Sequence, residues 1–363
     1  MKIFLVTRSL SGVVGGVERQ LGNIAYRLSQ SGHDVSILSS DEEPPALFFA
    51  QLSRFPILTY GQGIDDYSPR NSQRAKRQRN FFRLIHMEKP DLIIGFMLSG
   101  FLAALPTAAI CRTPLVLAER NSPDVYKITL SKKYSKLYFL LMRFSAVITV
   151  QLEEYKHGYP TFLQSKIKVI YNEILLRPRE PLVQNDRTNF TFGFVGRFSY
   201  QKQPIMLLDS FARHISTGNS SHLIFFGKGE LESEIRKRVS FLGIQDYVKL
   251  NEPIEDLEKI YTSIDALCLP SLWEGFPNVV GEAMMYGLPV LGNKECLGLS
   301  ALVSRHTGLL INFEDPNIDG FSMLRALVER NEHIAVEIQT SIRKLQEFNF
   351  VELWNEVVSD ATR

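Results

Sequence analysis

The sequence predicts an α/β protein made of two doubly wound parallel-sheet domains that face each other across a cleft. Three observations predict this class. The chain has 363 residues, and chains beyond roughly 250–300 residues usually divide into domains. A buried strand, a glycine-rich turn and an amphipathic helix open the chain, and the same series starts again near residue 190. Hydrophobic residues form 45% and charged residues 22% of the chain, which excludes disordered, collagenous and coiled-coil classes.

The first domain is predicted over residues 1–180. Residues 3–6, Ile-Phe-Leu-Val, fit a strand buried on both faces, and a glycine-rich turn covers residues 12–16. Apolar side chains then recur at helical spacing over residues 17–28, and residues 35–38 form the next strand. This order of strand, turn, helix and strand is typical of a Rossmann-like parallel sheet.

An uncharged stretch at residues 92–111 is long enough to cross a bilayer. Gly95, Gly100 and Pro106 interrupt it, and strand-like segments flank it, so we interpret it as a buried strand and a helix that lead to a second strand.

Arg8 interrupts the first apolar run too early for a secretory signal. Three widely spaced cysteines have no metal-ligand spacing, so we expect a reducing, cytoplasmic compartment.

The second domain is predicted over residues 185–345, after a polar linker at residues 172–189. Strands and helices alternate in it as they do in the first domain. The predicted strands cover residues 190–196, 223–227, 247–250 and 266–269, and the predicted helices cover residues 204–215, 230–242 and 255–263. Ligands bind beyond the carboxyl ends of the strands in such sheets, so the expected site is the cleft between the domains.

The strongest functional signal is residues 270–283, Pro-Ser-Leu-Trp-Glu-Gly-Phe-Pro-Asn-Val-Val-Gly-Glu-Ala. The segment follows a predicted strand directly, and a helix is expected from Val279 onward. Glu274 would lie in the loop and Glu282 one or two turns into the helix. Backbone N–H groups between the two carboxylates would suit an anion. The structural alternative makes Glu274 a helix cap and Glu282 part of a solvated helix face.

This segment resembles the Glu-x7-Glu signature of retaining glycosyltransferases of family 4, which have the GT-B fold. Other segments agree in order and spacing. Residues 15–19, Gly-Gly-Val-Glu-Arg, resemble the family's N-terminal loop, and Gly196-Arg197 with Lys202 resembles its phosphate-binding Arg/Lys pair. Residues 227–230 (Gly-Lys-Gly-Glu) resemble the family's Gly-x-Gly-x turn, and residues 308–310 match its usual Gly-Leu-Leu after the last strands. The resemblance covers essentially the whole chain and implies that a helix within residues 346–363 returns to the first domain.

The residues also fit the chemistry independently of the family. A nucleotide sugar has a diphosphate leaving group, whose departure needs positive charge and oriented N–H dipoles. Arg197 offers a planar fork of donors and Lys202 a point charge. Gly15 and Gly16 have no side chains, so their backbone can approach the same phosphates closely. The structural alternative is a surface cation pair and a tight turn.

The resemblance implies a role for each site residue. Glu282 would bind the ribose hydroxyls and Glu274 would contact the donor sugar. Front-side attack assisted by the leaving phosphate would give retention, so Glu274 is not expected to be a nucleophile. No metal or other cofactor is implied, because there is no Asp-x-Asp motif and the nucleotide sugar is a substrate. The implied catalytic residues are Arg197, Lys202 and Glu274, and the implied donor-binding residues are Gly15, Gly16, Arg197, Lys202, Gly275, Phe276, Pro277, Asn278, Val279 and Glu282.

Glu119 and Arg120 follow a predicted strand at residues 115–117. Similar strings occur in relatives that build polysaccharides or lipid-linked oligosaccharides, so we assign both residues to the sugar or acceptor side of the cleft. The alternative is a salt bridge at the end of the strand.

Charge is distributed unevenly along the chain. Through Asn172 there are 22 Lys and Arg against 13 Asp and Glu, whereas the remainder has 19 against 26. Basic residues with an apolar face suit an anionic membrane, although RNA or a solvated helix over a core would give the same pattern. The two basic stretches contain Arg70, Arg74, Lys76, Arg77, Arg79 and Arg83 around Phe81 and Phe82, and Lys127, Lys132, Lys133, Lys136 and Arg143 among aromatic and leucine residues.

The sequence therefore predicts a retaining glycosyltransferase that moves a hexose or an N-acetylhexosamine from a nucleotide-diphosphate sugar, with UDP expected. The expected acceptor is a growing surface glycan, such as one linked to polyprenyl diphosphate. The enzyme is expected on the inner face of the plasma membrane as a peripheral protein, with no nucleic-acid partner. Alternatives are a GT-B nucleotide-sugar epimerase and a non-catalytic membrane- or RNA-binding module.

Overall fold

The computed structural model describes residues 1–11, 15–61, 70–128, 133–174, 190–254 and 256–363. Two compact units make up the chain. The first contains Met1–Glu173 and Asn349–Arg363, and the second contains Ile174–Phe348. Parts of four predicted features lie outside the described residues: residues 12–14 of the glycine-rich turn, Lys132 of the second basic stretch, residues 175–189 of the linker, and Glu255 at the start of a predicted helix.

The first unit is built on a seven-stranded sheet in which all neighbouring strands are parallel. The sheet order is β3-β2-β1-β4-β5-β6-β7. Its strands are β1 (Lys2–Val6), β2 (Asp34–Ser39), β3 (Ile57–Thr59), β4 (Leu92–Phe96), β5 (Leu115–Ala118), β6 (Ile148–Val150) and β7 (Ile167–Val169). The connecting helices are α1 (Gly16–Gln30), α2 (Arg70–Glu88), α3 (Met97–Cys111), α4 (Val125–Ile128), α5 (Ser135–Met142) and α6 (Thr161–Gln164).

The uncharged stretch forms β4 and α3, which confirms the prediction of a strand and a helix. Its glycines allow close packing. A Cβ on Gly95 would lie 2.6 Å from the backbone of Phe101, and a Cβ on Gly100 would lie 2.4 Å from the carbonyl oxygen of Val6. Within the described part of the chain, no helix has the length and apolar character needed to cross a membrane.

Helix α2 corrects one part of the membrane expectation. Phe81 and Ile85 are each 1% exposed, and Phe81 packs edge to face on Tyr60. The ring of Phe81 therefore belongs to the core, and the apolar face expected for membrane contact on this helix does not include it. The solvent-facing side of α2 carries Phe82 and the basic residues Arg74, Lys76, Arg79 and Arg83.

The second unit has a six-stranded sheet with all neighbours parallel, in the order β10-β9-β8-β11-β12-β13. The predicted alternation of strands and helices is confirmed. The strands are β8 (Phe190–Val195), β9 (Ser221–Phe226), β10 (Val248–Asn251), β11 (Ala266–Leu269), β12 (Val290–Asn293) and β13 (Gly308–Ile311). The helices are α7 (Pro204–Ser216), α8 (Glu232–Leu242), α9 (Leu257–Tyr261), α10 (Asn278–Met285), α11 (Leu297–Ser300), α12 (Gly320–Arg330) and α13 (Ile334–Leu345).

Helix α14 (Phe350–Thr362) belongs to the first unit although it follows the second unit in sequence. It packs on α1 and β4, and the side chains of Trp354 and Val357 are fully buried. The Asn349 side chain accepts a hydrogen bond of 3.0 Å from the Glu352 N–H, which caps the helix. Each unit is thus a doubly wound α/β sheet of the predicted class.

Candidate functional site

Two loops meet at the carboxyl edge of the second sheet, one after β8 and the other after β11. The Leu272 N–H donates to the carbonyl oxygen of Gln201 at 2.9 Å, and the Gln201 side-chain amide donates to the carbonyl oxygen of Trp273 at 2.7 Å. Lys202 and Glu274 are the next residues along these two loops. The paired loops therefore bring together a cation and a carboxylate that are far apart in sequence.

The Lys202 Nζ lies 2.6 Å from the Glu274 Oε1. The two side chains are only 16% and 8% exposed, so the ion pair is largely shielded from water. A lysine ammonium has three donors. Lys202 can therefore keep its bond to Glu274 and still donate to a phosphate oxygen.

Glycines let the loops after β8 and β9 pack closely. A Cβ on Gly227 would lie 1.9 Å from the Gly196 carbonyl oxygen, and Gly196 itself has a φ of +154°. The Phe198 N–H donates to the Lys228 carbonyl oxygen at 3.0 Å. Arg197, which lies between these contacts, is exposed and makes no hydrogen bond or ion pair with the residues that the structure describes. Its guanidinium is thus available to a ligand.

The segment from Glu274 to Glu282 forms a buried loop and then α10. The Val280 N–H donates to the Pro277 carbonyl oxygen at 2.9 Å, which closes the first turn of the helix. Pro277 provides no side-chain cap. The predicted residues Gly275, Phe276, Pro277 and Asn278 are buried in this segment, and Val279 is half-buried.

Glu282 is 4% exposed and accepts a hydrogen bond of 2.8 Å from the Tyr261 hydroxyl through its Oε2. The same hydroxyl lies 3.3 Å from the Val279 carbonyl oxygen. Tyr261 is fully buried at the end of α9. Sequence reasoning did not identify this tyrosine, because nothing in a short helix indicates a contact with a carboxylate 21 residues later.

In the first unit, the predicted glycines lie at the start of α1. Gly15 is the N-cap in extended conformation and provides no side-chain cap, and Gly16 is the first helical residue.

Asp41, which sequence reasoning also missed, holds the loop that follows β1. Its carboxylate accepts hydrogen bonds from the hydroxyl of Ser9 and, at 2.8 Å, from the N–H of Leu10. Burial alone would raise the pKa of Asp41, but these hydrogen bonds hold it below its ordinary value.

The acceptor-side candidates Glu119 and Arg120 are buried, with 1% and 6% exposure. Glu119 accepts hydrogen bonds from the Tyr126 hydroxyl at 2.5 Å and from the Arg120 N–H at 2.9 Å. Burial raises the pKa of Glu119, and these hydrogen bonds oppose the rise.

The Arg120 guanidinium donates to Asn172 Oδ1 at 3.0 Å and to Thr149 Oγ1 at 3.2 Å, and it lies over the rings of Phe96 and Trp354. Burial lowers the pKa of Arg120 to about 10, although the charge of Glu119 opposes this shift. Both side chains thus have partners within the first unit, and their role on the acceptor side stays a prediction.

A buried Ser-His-Asp arrangement in the second unit has a structural role. His214 Nδ1 lies 3.0 Å from Asp319 Oδ2, and His214 Nε2 lies 3.1 Å from Ser221 Oγ. Ser221 is fully buried, and its hydroxyl is already paired with the His214 ring. Asp319 caps α12 through the Ser322 N–H, so the arrangement joins α7, β9 and α12. Across the described ranges, no cluster of three or more His, Cys, Asp or Glu side chains could hold a metal ion.

Two protein-family models match the chain. The model described as Glycosyltransferase Family 4 matches residues 14–174, and the model described as Glycosyl transferases group 1 matches residues 189–327. The first match corresponds to the first unit and the second match to the second unit, and together they span most of the chain.

Curated relatives and solved structures agree with these matches. The chain is 25% identical over 330 residues to a Campylobacter jejuni protein named GalNAc-alpha-(1->4)-GalNAc-alpha-(1->3)-diNAcBac-PP-undecaprenol alpha-1,4-N-acetyl-D-galactosaminyltransferase, covering 87% of this chain and 86% of that protein. It is 29% identical over 240 residues to the uncharacterized glycosyltransferase MJ1059 of Methanocaldococcus jannaschii, covering 60% of this chain and 58% of that relative. The structure of Anabaena HepE with UDP and glucose has a TM-score of 0.79 and 20% identity, covering 99% of this chain and 98% of the other. This last likeness concerns the fold alone.

Proposed function

Because the chain belongs to glycosyltransferase family 4 and has the GT-B fold, we propose that it transfers a hexose or an N-acetylhexosamine, with retention, from a UDP-sugar to a growing surface glycan. The observation that carries this proposal is the largely buried Lys202–Glu274 pair, together with the exposed Arg197 on the loop that also carries Lys202. All three charged residues lie on the loops that follow β8 and β11, at the carboxyl edge of the second sheet.

Departure of UDP places negative charge on the diphosphate, and this charge must be stabilised in the transition state. Arg197 would bind the phosphates through two parallel N–H donors, while Lys202 would contribute its ammonium from the wall of the site. Glu274 holds that ammonium at 2.6 Å and fixes its direction. Lys202 is thus positioned before the donor binds, so its ammonium needs little reorganisation during the reaction.

The nucleoside end of the donor is assigned to α10. Glu282 would accept hydrogen bonds from the two ribose hydroxyls, and Tyr261 fixes its carboxylate from the opposite side. A carboxylate has about four acceptor positions, so it can serve the tyrosine and a diol together. No step of this proposal requires a metal ion or another cofactor.

We assign the acceptor to lipid-linked glycans because the Campylobacter jejuni relative is named for a substrate on undecaprenyl diphosphate. The acceptor chemistry would then be a sugar hydroxyl on a polyprenyl-diphosphate glycan at the cytoplasmic face of the membrane.

A direct test is to incubate the purified full chain with a panel of UDP- and GDP-sugars, first alone and then with a short-chain polyprenyl-diphosphate glycan. Slow hydrolysis of one UDP-sugar alone and rapid transfer with the acceptor are expected, and NMR of the product should show the anomeric configuration of the donor. An inverted product contradicts retention. Conversion of a UDP-sugar into its epimer, with no transfer, would replace this proposal with the epimerase alternative.

A surface around α5 supports peripheral docking to anionic membrane. We define the α5 surface by its exposed apolar residues and the cations among them. Every apolar member is at least 48% exposed, the Lys133 ammonium lies 5.5 Å from the ring centroid of Tyr134, and the Arg143 guanidinium lies 5.9 Å from that of Phe162. Apolar side chains beside cations suit the interface of an anionic bilayer. The members are Lys133, Tyr134, Lys136, Leu137, Leu140, Arg143, Phe144 and Phe162.

Liposome co-sedimentation tests this docking. The variant Leu137→Ser/Phe144→Ser should lose binding to vesicles that contain phosphatidylglycerol. Phe241→Ser is the matched control, because Phe241 is a 79% exposed aromatic residue in the second unit. The docking proposal is rejected if the protein binds neutral and anionic vesicles equally, or if the double variant binds as well as wild type. The α5 surface would then be an ordinary solvent-exposed face.

A further inference from the structure

Glu18 is a buried carboxylate without a hydrogen-bond partner. It lies in the first turn of α1, two residues after Gly16, and its side chain is 2% exposed. Neither of its carboxylate oxygens accepts a hydrogen bond. Its closest cation is Arg8, whose guanidinium nitrogen lies 3.9 Å from Oε1, beyond hydrogen-bond distance, and whose side chain is 45% exposed.

The other buried carboxylates of the first unit accept hydrogen bonds through both of their oxygens. Glu119 accepts from the Tyr126 hydroxyl and two backbone N–H groups, and Asp41 accepts from Ser9 and Leu10. Among the buried Asp and Glu side chains in the described ranges, Glu18 alone has both oxygens unpartnered. The fold therefore satisfies its other buried carboxylates and leaves this one without a hydrogen bond.

Such an arrangement has a cost for folding, because a carboxylate removed from water without hydrogen bonds is destabilising. The helix N-terminus and Arg8 compensate only in part. This cost is explained if a bound ligand donates the hydrogen bonds that the carboxylate of Glu18 lacks in the free protein. Glu18 lies in the first turn of α1, the helix that follows β1 in the sheet order of the first unit, and ligands of doubly wound folds bind where helices follow the carboxyl ends of strands.

We propose that Glu18 binds sugar hydroxyls. A carboxylate accepts hydrogen bonds and donates none, so its ligand must be a donor and must not be an anion. That chemistry excludes the diphosphate as a direct partner and suits the hydroxyls of a hexose, since a carboxylate can accept from two neighbouring hydroxyls at once. The identity of the ligand as a sugar rests on the proposed function. The sugar is either that of the donor or the terminal residue of the acceptor.

The test compares Glu18→Gln with the matched control Glu173→Gln in the full chain. Glu173 is a structural carboxylate of the same unit, with its two oxygens 2.6 and 3.0 Å from the guanidinium of Arg27. Glu18→Gln should leave the melting temperature of the free protein unchanged or raise it, because it removes an uncompensated charge. Glu173→Gln should lower it. A lower melting temperature for Glu18→Gln would make the carboxylate structural and overturn the proposal.

Kinetics distinguish the two sources of the sugar. If Glu18 binds the acceptor, Glu18→Gln should lower kcat/KM for transfer at least tenfold and leave UDP-sugar hydrolysis without acceptor unchanged. If it binds the donor sugar, both rates should fall. Wild-type values for both would overturn the proposal.

A binding measurement makes the result independent of turnover. Saturation-transfer NMR with methyl glycosides of a hexose and of an N-acetylhexosamine should show binding to wild type and to Glu173→Gln, and its loss in Glu18→Gln. Such a result without any transferase activity would retain the sugar site and reject the proposed reaction. Equal signals from wild type and Glu18→Gln would reject the sugar site.

Discussion

Replacing Lys202 by methionine removes one partner of the Lys202–Glu274 pair and leaves the carboxylate of Glu274 largely buried. Breaking a fully buried pair in this way typically costs about 3–5 kcal/mol. The side chains are 16% and 8% exposed, so some water reaches them, and we expect about 2–3 kcal/mol of lost stability for Lys202→Met and similarly for Glu274→Gln. In the double variant Lys202→Met/Glu274→Gln no unpaired charge remains buried. Its loss of stability should therefore be at least about 1 kcal/mol smaller than the summed losses of the two single variants.

Urea unfolding of the full chain measures these losses. Trp273 is adjacent to Glu274 and lies in the second unit, so its fluorescence reports the unit that carries the pair. Lys168→Met is the matched control. Lys168 pairs with Asp360 at 2.6 Å in the first unit, but both side chains are about a third exposed. An exposed pair of this kind contributes little to stability, so Lys168→Met should be much less destabilising than Lys202→Met.

Activity should behave differently from stability. Each single variant should lose about 10²–10³ in donor turnover, because one electrostatic group of the diphosphate site is gone. The double variant should recover part of the stability and none of the turnover. Additive losses of stability, or near-normal turnover in either single variant, would refute the reasoning about this pair.

Three further predictions concern other groups of the second unit. Arg197→Ala should lower kcat about 10²–10³-fold without changing the melting temperature, because its guanidinium has no partner among the described residues; a loss of stability would contradict its assignment to the donor. Tyr261→Phe removes the hydrogen bond to Glu282 and should raise the KM for the UDP-sugar about tenfold at nearly constant kcat, since about 1.4 kcal/mol corresponds to a factor of ten; an unchanged KM would count against a ribose contact. Burial raises the pKa of Asp319 but hydrogen bonds from His214 and Ser322 outweigh it and lower that pKa to about 2. A carboxyl group whose pKa is lowered on folding stabilises the folded state above pH 4, and this stabilisation disappears as the pH falls towards 2. Between pH 4 and pH 2 the free energy of unfolding of wild type should therefore fall by about 1 kcal/mol from this group, after allowance for a side chain that is 34% exposed. Asp319→Asn should not show this fall.

The sheets and helices follow from local patterns. Apolar strands, glycine turns and helical periodicity recur at short intervals, and each signal is contained within a few residues. The strand at residues 92–96 and the helix after it could be predicted because Gly95, Gly100 and Pro106 mark a packed α/β segment. Arg197, Lys202 and Glu274 could be picked out because their segments resemble family motifs, and the structure places them on the loops after β8 and β11. Their role toward the donor stays a prediction.

The parts that could not be predicted depend on contacts between distant residues. Arg120 takes its partners from residues 29 and 52 positions later, so sequence alone does not indicate that it is buried. Phe81 and Phe82 are neighbours with the same chemistry, but Phe81 packs on Tyr60 in the core whereas Phe82 is exposed. For Glu18, the decisive fact is the lack of a hydrogen-bond partner, which no local pattern records.

The position of α14 has a consequence for biosynthesis. Residues 350–362 complete the first unit, yet the ribosome makes them only after residues 174–348 have been synthesised. The second unit is continuous and can fold as soon as it leaves the exit tunnel, because domains generally fold as units during synthesis. Until residues 350–362 have been made, the apolar surface of the first unit on which Trp354 packs stays uncovered. The ring of Trp354 is the largest fully buried side chain of the protein. We therefore expect the first unit to complete its fold after the second unit, although its synthesis begins first.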